Sequence, residues 1–479
     1  MNKSSKLLLV LLLALILLPR SVFGDTLFPA EFSVSAGKAE PSSASSGNRL
    51  EPNQTLELNR AVDLALQDNF TLKAAREQIT QAEARLGQAQ SLKNFKAKIE
   101  GQSVVQGPEI NIPMPNLDIV LQSKYNTSGR LAVENLLTTF GKVENQIVAA
   151  FFQVQAQNET YAARQSELTL ETQKTYFNIL KSASALSVAE EYLHLTGEYQ
   201  VLAQEHHRQG VVSNYDVLRA GIAVEEASKN KISAQKALEM SKSTLLFLIG
   251  NPEEIPYQVQ NQPPQVPPEN LKLAELQTLA LENRHELKTM NYNLAAARAV
   301  LKAAQSLNRP DLVLLSEYDC QTMKVTFMPQ YNWSAGVGIR IPLLDGGESA
   351  AKVKEAASAV RQLENAKLGL EQQIKLEVKN AWLSVQESSA LIKVQIKETQ
   401  KNQEGYRLAK ARYTQGVSLA VEMDEALASY HNARKNLVDS TYDLNLAASA
   451  LEKTVGSKIP GRPMEIPDFT RLDSTPGGN

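Results

Sequence analysis

The sequence is poor in the residues that build compact chemical sites. It has one cysteine, Cys320, and five histidines in 479 residues, which leaves no disulfide framework and no Cys/His cluster of structural-zinc spacing. Charge of one sign is also missing. Fifty Lys and Arg stand against 52 acidic residues, so no global field recruits nucleic acid or an anionic surface. Past residue 24 no segment carries the roughly 18 consecutive apolar residues of a spanning helix. If this chain crosses a membrane, it does so as strands. Proline is absent from two windows of 68 residues, Lys142 to Gln209 and Glu348 to Gln415, where nothing interrupts a helix.

No enzyme constellation emerges either. His206 and His207 are adjacent, so on a helix they point about 100° apart and cannot share the i, i+4 geometry of a zinc pair. Cys320 has no histidine in its pattern to activate it. Gly336-Val337-Gly338 lacks the third glycine of a dinucleotide fingerprint and lies inside a strand pattern. No catalytic residue, cofactor or metal is expected.

At the N-terminus, Lys3 and Lys6 precede an unbroken apolar run from Leu7 to Leu18, then Pro19 and Ser21-Val22-Phe23-Gly24. This is the pattern of a cleaved secretory signal peptide, residues 1–24. The run is too short to span a bilayer. Residues 25–55, rich in Ser, Ala, Gly and Pro, form an N-terminal extension.

The rest of the chain repeats itself. Residues 56–92 align with 271–307 without gaps, matching Ala65-Leu66 to Ala280-Leu281 and Ala89-Gln90-Ser91-Leu92 to Ala304-Gln305-Ser306-Leu307. Further along, Gly141 matches Gly347, Gln209-Gly210-Val211 matches Gln415-Gly416-Val417, and Gly250 matches Gly456. Three matched glycines at one offset identify a duplication. The first repeat covers 56–250 and the second 271–456. Between them, Pro252, Pro256, Pro263, Pro264, Pro267 and Pro268 make 251–270 a linker. A flexible C-terminal tail is expected over 457–479.

Within each repeat the proline-free window predicts a very long helix. In the second, Leu370, Ile374, Val378, Ala381, Val385, Ile392 and Ile396 fall at the 3-and-4 spacing of a packed seam. Such a helix reaches about 100 Å and needs neighbours along its side. After the breaks at Gly210 and Gly416, return helices run to Gly250 and Gly456, glycines placed as helix stops. Ahead of each long helix the period changes to two. Trp333, Ala335, Val337, Ile339 and Ile341 alternate with Asn332, Ser334, Gly336, Gly338 and Arg340. In the first repeat Tyr125, Thr127, Leu131 and Val133 alternate with Asn126, Ser128, Arg130 and Glu134. Hairpin partners are expected around Lys96 to Val105 and Asp311 to Cys320, giving strands near 95–135 and 311–342. The connections Gln106 to Lys124 and Gln321 to Tyr331 are expected as external loops. Alternation alone fits a soluble sheet with one wet face equally well; four strands that cannot close alone, in an exported chain, favour several chains pooling their strands.

The order of these features resembles the TolC family of outer-membrane efflux and secretion channels over residues 50–456. The resemblance rests on Leu56 to Leu66, on the turn Ile341-Pro342-Leu343-Leu344-Asp345-Gly346-Gly347 into a long helix, and on the break Arg412-Tyr413-Thr414-Gln415-Gly416. The first repeat keeps a weaker turn, Leu137-Thr138-Thr139-Phe140-Gly141. The resemblance implies a mainly α fold with a membrane β-barrel part. In it, a homotrimer pools a 12-stranded barrel in the outer membrane, continued by an α-helical tunnel through the periplasm. It further implies an exit duct, not an enzyme, that exports small molecules or polypeptides with a periplasmic adaptor and an inner-membrane transporter. The competing reading, a soluble coiled-coil scaffold, accounts for the helices and leaves the strands idle.

The resemblance also implies site residues. Gly210 and Gly416 break the helices at the periplasmic tip, and Pro342, Asp345, Gly346 and Gly347 turn strand into helix. Glu422 and Glu425, at i and i+3 on one helix face, occupy the positions of two carboxylates that line the entrance. Asp216 and Tyr413 occupy the positions of side chains whose hydrogen bonds hold the tip closed. Ser418 stands where some members carry arginine, which removes a charge-assisted bond and predicts a tip held less firmly or by other contacts. Asp424 adds an acid nearby, and Arg219 corresponds by the repeat to Glu425, so the halves differ electrostatically.

Overall fold

Each repeat folds through the same series of elements. The computed structural model describes residues 55–464, apart from 115–116, 252–254, 262, 264, 267, 269–271 and 322–330, and in addition 466, 467 and 469. The expected signal peptide, the extension up to residue 54, residues 322–330 of the second external loop, and the tail from 470 onward lie outside the described residues.

The first repeat begins with β1 (Thr55–Leu56), α1 (Leu58–Asp68) and α2 (Phe70–Ser91). Four strands follow: β2 (Lys96–Val105), β3 (Ile110–Met114), β4 (Leu117–Gln122) and β5 (Tyr125–Thr138). The long helix α3 (Lys142–Arg208) and the return helix α4 (Asn214–Leu248) complete it. After the short strands β6 (Gln258–Val259) and β7 (Gln265–Val266), the second repeat runs α5 (Leu273–Asn283), α6 (His285–Gln305), β8 (Asp311–Gln321), β9 (Tyr331–Arg340), α7 (Glu348–Thr414) and α8 (Ala420–Val455). A last short strand is β10 (Arg462–Pro463). Both α3 and α7 hold 67 residues, as their proline-free windows dictate.

The four long strands form one antiparallel sheet in the order β2-β5-β8-β9, so β5 and β8 join the two repeats and β2 and β9 are its edges. Its register sorts side chains by character. Ile99 lies opposite Leu131, Leu131 opposite Tyr318, and Tyr318 opposite Trp333, an apolar row across the whole sheet. The neighbouring row aligns Glu100, Arg130, Asp319 and Asn332, and Arg130 pairs with Asp319 at 2.8 Å. Successive residues face opposite sides, so one face is apolar and the other charged. The apolar face is in the open: Ile99 is 85% exposed and Trp333 58%.

The helices pack in a fixed neighbour order. α3 lies against α4 along one part of its length and against α2 and α6 along another; α8 touches both α3 and α7, and α6 touches α7. The buried seam of α7 holds Ile374, Val378, Val385 and Ile392, with Leu370, Ala381 and Ile396 partly buried beside them. Each such apolar side chain contributes about 1.5–3 kcal/mol on full burial. The outer flanks of α4 and α7 keep large apolar residues exposed, among them Ile222, Ile232 and Phe247 on α4 and Leu376, Leu383 and Leu391 on α7.

Where each return helix ends, it abuts the break between two short helices. At this junction in the first repeat, Asn69 caps α2, accepting from the Thr71 and Leu72 amides and donating to the Leu248 carbonyl at 3.0 Å. In the second, the matching residue is Arg284, which is buried and pairs with Glu286 at 2.9 Å and with Glu377; Lys453 also reaches Glu286. Gly250 and Gly456 have φ of 70° and 73°, the left-handed region that glycine enters without strain. A Cβ on Gly250 would lie 2.5 Å from the Asp68 carbonyl oxygen.

Two expectations need correction. The Gln106 to Lys124 connection is not simply a loop, because β3 and β4 pair as a hairpin within it. Alternating Ile110 and Ile112 favour a strand, and Pro113 is tolerated because a two-stranded hairpin leaves one edge of each strand unpaired. Nor is the segment after 457 a flexible tail up to Phe469. β10 pairs with β7, and Phe469 buries with Ile392, Leu437 and Leu444 while Met464 and Ile466 pack beside it. The apolar groove between α7 and α8 repays the ordering of this short segment.

Candidate functional site

The tip is made by two helix reversals that use the same local chemistry. At the end of α3 the Gly210 amide donates to the His207 carbonyl at 3.0 Å and the Val211 amide to the His206 carbonyl at 2.8 Å. At the end of α7 the Gly416 amide donates to Tyr413 at 2.9 Å and Val417 to Arg412 at 3.0 Å. These bonds satisfy the last carbonyls of each helix in a Schellman arrangement, which requires the positive φ of 76° at Gly210 and 70° at Gly416.

The return helices start differently. Ser213 caps α4, and its hydroxyl donates to the Asp216 carboxylate at 2.7 Å while the Ser213 amide donates to the same oxygen at 3.0 Å. An acid in the first turn also suits the helix dipole. α8 starts at Leu419 without a side-chain cap.

Between the reversals lies an aromatic core. Tyr192, Tyr199, Tyr406, Tyr413 and Tyr430 are buried together with Met423 and Leu427. Tyr413 sits edge-on to Tyr199 with centroids 5.6 Å apart and stacks on His206 at 5.1 Å. Tyr406 stacks on Tyr430 at 5.7 Å, and Tyr192 on His431 at 4.0 Å. Tyr199 donates to the Ala420 carbonyl at 3.1 Å, and Tyr430 to the Phe469 carbonyl at 2.9 Å. Burial lowers the His431 imidazole to about 4, helped by the charge of Lys435.

Asp216 and Tyr413, the two expected gate residues, make no hydrogen bond to each other among the described residues. Asp216 turns back onto Ser213, its own helix cap, and the Tyr413 hydroxyl is buried with no partner among the described residues. The two are close enough for charge to matter: burial pushes the Tyr413 hydroxyl up, and the Asp216 carboxylate adds to the rise.

Two ion pairs cross the tip instead. Arg219 on α4 reaches Asp424 on α8 at 2.9 Å, linking the two repeats. Arg412 at the end of α7 pairs with Glu422 at the start of α8 at 2.7 Å. Glu425 is exposed and makes no ion pair among the described residues. Of the two expected entrance carboxylates, one is thus met by an arginine. The only sequence signal for the Arg219–Asp424 pair was the charge difference between the halves at 219 and 425; nothing in a local period marks partners 205 residues apart.

At the other end, Asp345 accepts from the Gly347 amide at 3.0 Å and the Ser349 amide at 2.8 Å, fixing the start of α7. Gly346 and Gly347 take φ of 63° and 92°, and Pro342 lies in the stretch linking β9 to that turn. In the first repeat Glu144 takes over the capping role, accepting from Thr139 at 2.7 Å and from the Gly141 amide at 3.0 Å.

Comparison with known proteins identifies the family and the fold. The profile of a family described as outer membrane efflux protein matches residues 61–251 and 276–457, one segment per repeat. Outer membrane protein TolC of Escherichia coli K12 is 24% identical over 325 residues, 63% of this chain and 64% of its own length. Protein CyaE of Bordetella pertussis is 25% identical over 328 residues, 66% of this chain and 68% of its own. Among solved structures, CusC, reported in connection with transmembrane channel formation, superposes with a TM-score of 0.73 at 19% identity, covering 87% of this chain and 98% of that one.

Proposed function

Because this chain belongs to the outer membrane efflux protein family, we propose that it is one subunit of a homotrimeric exit duct in the bacterial outer membrane. The observation that carries the reading is the four-stranded sheet, with an apolar face in the open, a charged face opposite, and unpaired edges at β2 and β9. A lone sheet with such edges is unstable in lipid, where every backbone group needs a partner. Pairing β9 of one copy with β2 of the next satisfies the edges and closes 12 strands around the charged face.

The helices support the same closure. The exposed apolar flanks of α4 and α7 are the two ends of the neighbour order, so α7 of one copy meets α4 of the next and a ring results. Helices so arranged continue the barrel as a periplasmic tunnel. The protein is exported by a signal peptide at residues 1–24, removed on the way.

Small molecules or polypeptides leave through the duct, handed over by an inner-membrane transporter and a periplasmic adaptor. At the tip, Glu422 and Glu425 line the entrance, and threefold symmetry gathers six carboxylates there, three of them held by Arg412. Such a ring favours cations. Opening splays the helix pairs, and the contacts that yield are Arg219–Asp424 and Arg412–Glu422.

Purified protein in liposomes tests this. Trimers that leak small solutes are expected, and membranes should retain the protein through carbonate washing. Monomers in sealed vesicles, or release by salt, would overturn the reading in favour of a scaffold. For the entrance, Glu422→Gln with Glu425→Gln should weaken cation selectivity in planar bilayers; unaltered selectivity moves the constriction elsewhere.

A further inference from the structure

The two repeats carry opposite charges at three equivalent positions. β2 and β8 begin 215 residues apart, at Lys96 and Asp311, and β5 and β9 begin 206 apart, at Tyr125 and Tyr331. The same two offsets relate the helices on either side. By them Lys96 corresponds to Asp311, Glu134 to Arg340 and Lys142 to Glu348. Wherever the first repeat has a cation the second has an anion, and the reverse.

All six lie where the sheet passes into the helices. Within each repeat the signs complement, Lys96 standing opposite Glu134 and Asp311 opposite Arg340. Between the repeats, Lys142 at the start of α3 pairs with Asp311 at the start of β8 at 2.6 Å, their side chains 24% and 15% exposed. This contact closes the internal seam, β5 on β8.

The seam between copies, β9 on β2, joins the equivalent strands with the repeats in the other order. Transposing the β5–β8 register onto it places Glu348 of one copy against Lys96 of the next, the same contact with its signs exchanged. It also sets Arg340 opposite Glu100 of the next copy, at the place where Glu134 faces Leu315 inside the chain. The row on the charged face then runs Asp311, Arg340 and, in the next copy, Glu100, Arg130 and Asp319, alternating in sign without a break. A slip of two residues would set Arg340 against Lys98 or Gln102 instead. A slip of one would turn the apolar face inward.

Building on the exit-duct reading, we infer that copies of this chain recognise one another by the reversed charge set: β9 pairs with β2 of the next copy in the β5–β8 register, and a second repeat accepts only a first repeat beside it. Two first repeats would bring Lys142 against Lys96, and two second repeats Glu348 against Asp311. Like charges meet in both cases, which excludes those partners.

Disulfide trapping in the full-length protein, with Cys320→Ser as background, tests the register. Within one chain β2 and β9 are three strand spacings apart, about 14 Å, too far for a disulfide, so every cross-link joins two copies. Glu100→Cys with Arg340→Cys should give covalent dimers and trimers on a non-reducing gel, about fivefold more than Arg340→Cys with Lys98→Cys or Gln102→Cys. Should that variant assemble poorly, Val104→Cys with Gly336→Cys probes the same register, since a Cβ at Gly336 meets nothing within 4 Å. Recognition is read by charge exchange. Lys96→Glu and Glu348→Lys should each lower the yield of trimer about tenfold, and the double variant should regain most of it. A trimer that cross-links best in a slipped register, or at neither pair, overturns the seam and leaves the duct standing. So does a double variant that assembles no better than its single parents. Protein that sediments as a monomer and cross-links nowhere overturns the exit-duct reading and this inference with it.

Discussion

The junction and the tip both end long helices with a glycine at positive φ, yet they treat polar groups in opposite ways. At the junction, Arg284 is 5% exposed and meets two carboxylates, and Asn69 uses both ends of its amide. At the tip, the hydroxyls of Tyr406, Tyr413 and Ser418 are enclosed with no partner among the described residues, and the ion pairs sit at the edge of solvent. The glycines differ in the same sense. A Cβ at Gly250 would press on the Asp68 backbone, whereas one at Gly210 would meet nothing within 4 Å. The junction ties its buried arginine and asparagine to long-range partners, and the tip relies more on aromatic packing.

The sharpest way to break this contrast is to remove the junction arginine. Arg284→Ala strands Glu286 and Glu377 and should cost about 3 kcal/mol, toward the lower end for a buried pair because the carboxylates keep about a third of their surface in water. Arg219→Ala at the tip should cost under about 1 kcal/mol. Chemical unfolding of both variants checks the difference; equal losses would erase it. Next comes Gly250→Ala, where a strained φ and a backbone clash should cost about 2–3 kcal/mol, against about 1 kcal/mol for Gly210→Ala, which meets strain alone.

Acid separates the two regions by pH window. Burial alone would raise the Glu286 carboxyl, but the hydrogen bond from Arg284, a backbone amide and the charges of Arg284 and Lys453 bring it down to about 2. Its stabilising contribution is full above pH 4.5 and is lost as pH falls through 2. His431 is held neutral in the packed tip, down to about 4 from 6.5. A splayed tip takes up that proton first, so the packed form weakens as pH falls from 6.5 to 4. Bilayer conductance should rise in that interval while the thermal melting of the trimer stays level, dropping only below 4.5. His431→Gln should flatten the conductance rise. The smallest effect is expected for Asp424→Asn, which weakens a half-buried pair at the solvent edge by about 0.5–1 kcal/mol and should raise open probability a few-fold with no change in melting.

Much of this was legible from local pattern. The two 68-residue windows without proline end within one residue of α3 and α7, because helix limits are set by glycine and proline, which act on their own backbone. The strand alternation gave the correct faces for Trp333, Val337 and Ile339 for the same reason. What escaped depends on partners far apart in the chain. Phe469 and Ile466 look like part of a polar tail until the groove beside Leu437 exists to receive them. Arg284 looks like an ordinary helix-end cation until α7 brings Glu377 against it. Asp216 and Tyr413 stand at gate positions by resemblance, and nothing in that resemblance marks the Ser213 cap, a contact three residues long, that Asp216 makes.

The pairing of β5 with β8 places the two repeats side by side in one chain. A tube assembled from six identical half-length units would have to repeat every side chain six times, so every seam would carry the same set of pairs. Covalent tandem linkage halves the symmetry, and one unit can then carry Arg219 where its sibling carries Glu425. Side chains can then differ between alternate units around the circumference, and Arg219 of one repeat pairs with Asp424 of the other.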